Sequence, residues 1–261
     1  MAFLPMKYNF SIKVGLEQGF TLDNFKYVLK DPIFWKSIWN TFYLALAWPI
    51  SMFIALLVSI LLTKDIKGKP FFRTVYFIPF ICSLVAVTLM WNVILDYNYG
   101  VANNFLEWLT GTRINWRGDP KWYRFGLICM TVWSTTGYKI IILTAALTSV
   151  NRSLYEAASL DGANAPQKIW HVTLPAISPT VFYLFVTGLI DVLQEFTRSQ
   201  VWDKAGGPNG TGITMVFYLY REGFLYVNMG TASAVAWILS IFILLITLLN
   251  FALSKKWVKY D

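Results

Sequence analysis

Apolar residues in this chain come in long blocks separated by charged links, and they do not alternate with polar ones. The first block, Ile38 to Thr63, runs 26 residues without a charge. The second, Thr74 to Leu95, runs 22 residues and holds Pro79, an expected kink. The third, Phe125 to Val150, is interrupted only by Lys139. The fourth, Ala176 to Gln200, carries Asp191 and Glu195 in its second half. The fifth lies within the 32 uncharged residues from Gly223 to Ser254, its spanning part Thr231 to Leu253. Crossing a bilayer takes about 20 apolar residues in a helix. Backbone groups in lipid must pair within the segment, so such blocks must be helical. The alternation of a membrane barrel is missing. The pattern predicts an all-α integral membrane protein, a single transmembrane domain over 1–261. Its five helices lie at about 38–63, 74–95, 125–150, 176–200 and 231–253.

Composition agrees. Hydrophobic residues make up 56% and charged residues 14%, against about 25% charged in a soluble domain. That excludes a disordered chain and an ordinary soluble enzyme. The net charge of +8 sits in the gaps between blocks, so nucleic acid is not an expected partner. Cys82 and Cys129 lie inside apolar blocks and read as buried thiols. One histidine, His171, excludes a histidine-cluster metal site, and no metal is expected. The opening MAFLPMKYNF lacks the layout of a cleavable signal.

Charge sets the orientation. Lys64, Lys67, Lys69 and Arg73 in the short first link, Arg152 and Lys168 in the third, and Lys255, Lys256 and Lys259 in the tail share one side if the helices alternate. That denser positive side is read as cytoplasmic. Residues 1–37 then lie outside, so the expectation is either that a further helix that normally precedes Met1 is absent from this chain or that the start is truncated. On the external side, Val101–Leu109 has apolar residues at helical spacing, and would either lie on the membrane surface or pack on the bundle. Trp116, Trp122 and Tyr123 suit an aromatic belt. Gly206 to Gly212, GGPNGTG, reads as a turn-rich loop.

The link Asn151–Pro175 is longer than a helix connection needs and is punctuated as helices. Ser153 and Glu156 make an S-x-x-E capping box. Leu154, Ala157 and Ala158 form a small apolar face, Gly162 suits a helix stop, and Pro166 suits the first turn of a second helix. A short helix with two alanines on its face either docks in a partner's groove or lies along the membrane.

Glu156-Ala157-Ala158, then Gly162, Val172 and Leu174-Pro175 match the spacing of the E-A-A…G…I-x-L-P loop, with Val172 in place of isoleucine. The chain therefore resembles the permease subunits of binding-protein-dependent ABC importers. INWRGDP at Ile114–Pro120, GGP at Gly206–Pro208 and the Tyr218–Ala234 stretch resemble the carbohydrate branch (maltose and multiple-sugar type). The resemblance implies a six-helix core, of which five are visible, and a cytoplasmic coupling helix between the third and fourth visible helices. It implies that Glu156, Ala157, Ala158, Gly162, Val172, Leu174 and Pro175 engage an ATPase. Two ATPase subunits, a second permease subunit, an extracellular solute-binding protein and membrane lipid are the expected partners, in a bacterial or archaeal cytoplasmic membrane. No Walker motif occurs; Gly68–Pro70 is only a fragment. ATP and magnesium would sit on the ATPases, no cofactor on this chain, and no catalytic residue is expected in it.

Charges at bilayer depth are costly and point to function. Asp191 and Glu195, four residues apart, are predicted to share a helical face. Lys139 would either pair with one of them or join Asn92, Trp133, Tyr138, Asp191, Gln194 and Glu195 along a polar sugar path. Two carboxylates with one lysine favour a neutral or cationic substrate. The competing readings are a gradient-driven secondary transporter with Asp191 or Glu195 as proton site, a membrane-embedded enzyme using the same pair, and a permease for a polyamine or phosphate ester.

Overall fold

The computed structural model describes residues 1–4, 19–63 and 67–259. Lys64 and Asp65 of the first charged link, and most of the opening MAFLPMKYNF, lie outside the described residues. All regular structure among the described residues is helical. Four helical runs are long and apolar enough to span a bilayer: Pro32–Thr63, Pro120–Ser149, Ser178–Trp202 and Met229–Ser254. The sharply bent pair Lys69–Ile81 and Leu84–Ile94 makes a fifth if counted as one span. Pro120–Ser149 is the most enclosed, with 61% of its most apolar window buried, and Met229–Ser254 the least, with 22%. Leu244, Leu245, Leu248 and Leu249 are each more than half exposed, as expected of a face meant for lipid.

Breaks fall where local chemistry competes with the helix. Pro32–Ala45 and Ala47–Thr63 are separated at Leu46, because Pro49 has no N–H and its ring crowds the carbonyl of Ala45. The second block is not one helix kinked at Pro79. Pro79 is accommodated inside Lys69–Ile81, and the break comes at the extended pair Cys82 and Ser83 (ψ 147° and 131°). The fourth block is also broken: Ser178–Leu193 ends, and Thr197–Trp202 begins after a non-helical stretch.

The chain divides into two compact units. The first comprises Met1–Leu46, Ser83–Met130 and Asp191–Leu245. Val28, Phe34, Ile213, Met215, Tyr218 and Val235 form its core. Polar side chains staple it. Asp31 accepts from Ile33 N–H at 2.8 Å and from the Tyr218 hydroxyl at 2.6 Å. The buried Asn40 donates to the Gly210 and Ile213 carbonyls at 2.8 and 3.0 Å, and accepts from Arg124 at 3.1 Å. The GGPNGTG loop is thus folded against membrane helices. A Cβ on Gly207 or Gly212 would meet the Tyr123 ring within 2.7 Å, so only glycine allows that approach.

The second unit comprises Ala47–Cys82, Thr131–Ile190 and Ile246–Asp261. Its helices touch through small residues. A Cβ on Gly137 would lie 1.9 Å from the Tyr76 carbonyl oxygen, and one on Gly188 2.4 Å from Trp48 Nε1. Close crossing at glycine is how helices gain packing contact in lipid. Ser59 Oγ, 3.1 Å from the Ile140 carbonyl, adds a hydrogen bond between helices.

Candidate functional site

The helix Arg152–Leu160 is built from local signals alone. Asn151, not Ser153, is its N-cap, accepting from Ser153 N–H at 3.0 Å. The predicted Ser153–Glu156 box is replaced, because Asn151 sits nearer the free N–H groups and Glu156 instead pairs with Arg152 at 3.3 Å. At the other end Gly162 takes φ +75°. Its N–H reaches the Ser159 carbonyl at 3.1 Å, and Ala163 N–H reaches that of Ala158 at 2.9 Å. This is the two-bond glycine stop that satisfies the last carbonyls. No residue of this helix is buried.

A second helix, Ala165–Lys168, follows with a complete capping box. Asn164 N–H donates to Gln167 Oε1 at 2.8 Å, and Gln167 N–H donates back to Asn164 Oδ1 at 3.0 Å. It widens into a π turn, Ile169–Thr173, then continues as Leu174–Ala176. Pro175 lacks an N–H and would crowd the His171 carbonyl in a regular helix; the wide turn lets the chain pass through the proline. Lys168 Nζ donates to Ser159 Oγ at 2.7 Å, and the Tyr155 and Thr173 hydroxyls meet at 3.0 Å. The two arms therefore form a hairpin.

Between the arms lies a hollow of about 470 Å³ lined by Leu154, Ala157, Ala158, Gly162, His171 and Val172. Four of the seven motif residues, Ala157, Ala158, Gly162 and Val172, thus meet at one surface. Glu156 faces outward on the same helix. Leu174 and Pro175 lie past the hollow, half-buried, where the chain enters the next span. Sequence reasoning passed over Leu160 and Trp170, which are 89% and 70% exposed. Two large apolar side chains in a polar link were the available signal.

The intramembrane residues fall in both units and are taken unit by unit. In the second unit Lys139 is buried, its ammonium donating to Ser51 Oγ at 2.6 Å and Thr135 Oγ1 at 3.1 Å. Tyr138 stacks on Phe80 at 4.9 Å, and its hydroxyl is 3.3 Å from that of Tyr183. Trp133 is 40% exposed. In the first unit Asp191 and Gln194 are exposed, Glu195 is buried, and the half-buried Asn92 keeps an Oδ1 without a hydrogen-bond partner. Asp191 and Glu195 do not share a helical face, since the helix stops at Leu193. The cause is local. Glu195 accepts from Arg198 N–H at 2.8 Å and pairs with the Arg198 guanidinium. Its carboxylate thereby sits at the start of the next helix, just ahead of the N-cap Phe196, where an acidic group is favoured. One of the two carboxylates is thus neutralised within its own turn, which removes the basis for a substrate preference drawn from two free acids.

Residues 32–259 match the model of the family described as binding-protein-dependent transport system inner membrane component. The probable ABC transporter permease protein YesP of Bacillus subtilis is 36% identical over 245 residues, 92% of this chain and 79% of that protein. The arabinooligosaccharides transport system permease protein AraP of Halalkalibacterium halodurans is 32% identical over 234 residues, covering 88% and 74%. A solved bacterial alginate ABC transporter, in complex with its alginate pentasaccharide-bound periplasmic protein, superposes with a TM-score of 0.77 at 25% identity, covering 95% of this chain and 89% of that one.

Proposed function

The chain belongs to the binding-protein-dependent inner membrane components, and from that premise we propose that it is a pore-forming subunit of an ATP-driven sugar importer, with an oligosaccharide as cargo. The observation that carries this is the Asn151–Pro175 hairpin, whose hollow is lined by Ala157, Ala158, Gly162 and Val172. A helix that buries nothing of its own and shows Leu154 and Leu160 to solvent is shaped to enter a partner's groove.

In this reading a cytoplasmic ATPase subunit receives the hairpin, and a second ATPase receives the equivalent hairpin of a second permease subunit. ATP and magnesium reside on the ATPases; this chain supplies the lever and performs no chemistry. A solute-binding protein delivers the sugar from outside, and the complex sits in the cytoplasmic membrane of a bacterium or archaeon. Sugar hydroxyls need donors and acceptors. In the first unit Asp191 and Gln194 offer them on an exposed face; in the second, Trp133 offers an aromatic face and Tyr138 a hydroxyl.

The test is a pull-down from detergent-solubilised membranes, comparing the wild type with Gly162→Asp and with Ala157→Glu/Ala158→Glu. The ATPase should co-purify with the wild type and be lost from both variants while the membrane-inserted amount stays constant. An ATPase retained by both variants would remove the hairpin from the coupling path.

A further inference from the structure

The link Asp96–Trp116 is a built element, not a slack loop, and it is held by Asn103. That side chain is fully buried. Its amide donates to the Asp96, Tyr97 and Ile114 carbonyls at 3.3, 3.3 and 2.9 Å. Its Oδ1 accepts from Ile114 N–H and Trp116 Nε1, both at 3.0 Å. Arg113 closes the other side, donating to the Tyr97 and Asn98 carbonyls at 2.9 and 2.6 Å and pairing with Glu107 at 2.6 Å.

The helix Val101–Thr110 is thereby fixed in rotation, and its side chains fall into three arcs. Ala102, Asn103 and Leu106 face inward. Asn104 and Glu107 form an exposed polar arc. Val101, Phe105, Trp108 and Leu109 form an exposed apolar arc, with Trp108 79% and Val101 69% exposed. An apolar arc this bare on a rigid element needs a covering phase.

Depth is set by Trp116. Its ring stacks on Phe125 at 6.3 Å and meets Trp122 edge-on at 5.5 Å. Phe125 is 45% exposed near the N-terminal end of the Pro120–Ser149 span. The helix is therefore tied, through Trp116, to the end of a spanning helix beside an exposed aromatic side chain. Trp and Tyr favour this zone because one end of the ring is apolar and the other wet.

We propose that Val101–Thr110 is an interfacial helix, its Val101/Phe105/Trp108/Leu109 arc seated in the headgroup–acyl boundary of the bilayer and its Asn104/Glu107 arc in water. Lipid has the chemistry that fits: the apolar arc carries no charge, it is tied to the exposed end of an apolar spanning helix, and the polar arc beside it gives the two-sided exposure of a helix lying in an interface. The element then holds its end of the Pro120–Ser149 helix at a fixed depth.

The test places a spin label at Trp108→Cys or Asn104→Cys, in a Cys82→Ser, Cys129→Ala background, with the transporter complex in phosphatidylcholine nanodiscs. Collision with oxygen, which partitions into lipid, is compared with collision with a water-soluble nickel chelate. The ratio of oxygen to nickel accessibility should be several-fold higher at 108 than at 104, and adding the solute-binding protein should leave it unchanged at 108. Three results would overturn the proposal. A label at 108 open to nickel without the binding protein means that the face lies in water. Nickel access lost only on adding that protein means a protein docking face. Protection from both reagents at the outset means cover by another subunit.

Discussion

Two short helices outside the spans, Arg152–Leu160 and Val101–Thr110, stop in the same way and are held by opposite means. Each ends at a glycine in the left-handed region, Gly162 at φ +75° and Gly111 at φ +70°. A Cβ on either glycine would meet nothing within 4 Å. The Val101–Thr110 helix is fastened by a buried side chain whose five hydrogen bonds reach across the link. The hairpin helix buries none of its own residues, and among the described residues its caps, the exposed Lys168–Ser159 bond and the part-buried Tyr155–Thr173 contact hold it. An element stapled through its centre keeps its shape without company. One held at its ends is completed by whatever docks on it.

The largest expected effect is on the stapled side. Asn103→Ala strands the buried Trp116 indole N–H and the part-buried Ile114 N–H, while the Ile114 carbonyl keeps the Trp116 backbone N–H at 3.1 Å. The cost is about 3 kcal/mol, read as a lower melting temperature in detergent and as new proteolytic cutting within 97–116. If the segment stays resistant, Asn103 is not what fastens it.

Next comes the matched pair Gly162→Ala and Gly111→Ala. Each forces a side chain into the left-handed region at a local cost of about 1–2 kcal/mol. The effects should diverge. Amide exchange should rise across Arg152–Leu160 in the first variant, and stay near wild type across Val101–Leu109 in the second, where Asn103 still holds. Equal responses would erase the contrast between the two helices.

Asn151→Ala removes the N-cap and should cost about 1 kcal/mol, seen as faster exchange at Ser153 and Leu154. Arg152→Ala breaks an exposed pair and should change stability by under about 0.5 kcal/mol. The order of those two tests whether the cap, not the ion pair, starts the helix.

The smallest effect is one of pH. The Arg113 guanidinium, hydrogen-bonded to Glu107, holds that carboxyl below its ordinary value. A depressed acid contributes stability that is present above its unfolded pKa of about 4.3 and lost as pH falls through the lower folded value. Protection of the Val101–Thr110 helix from exchange should therefore fall below about pH 4, and Glu107→Gln should abolish that fall by lowering protection at pH 7 to the level the wild type reaches in acid.

The spans were legible because lipid leaves few solutions: a long apolar block must be a helix. The Gly162 stop was legible because an αL cap is a one-residue, local requirement. What failed was choice among competing local partners. Asn151 and Ser153 both offer a cap two residues apart, and only coordinates show that Asn151 takes the role. The spacing predicts that Glu195 shares a face with Asp191, but the helix stops at Leu193 and the Glu195 carboxylate bonds the Arg198 backbone of the next helix instead. Asn103 could not be found at all, since a buried amide inside VANNFLEWL earns its place through carbonyls up to 11 residues away.

The most direct test of the central claim is uptake of a labelled oligosaccharide into proteoliposomes holding this chain, its partner permease and its ATPases, with the solute-binding protein outside. Transport should require ATP with the ATPases, ignore an uncoupler, and disappear with Ala157→Glu/Ala158→Glu. Uptake that persists without ATP, collapses with the uncoupler and survives the hairpin variant would contradict the account and make Asp191 the residue to examine.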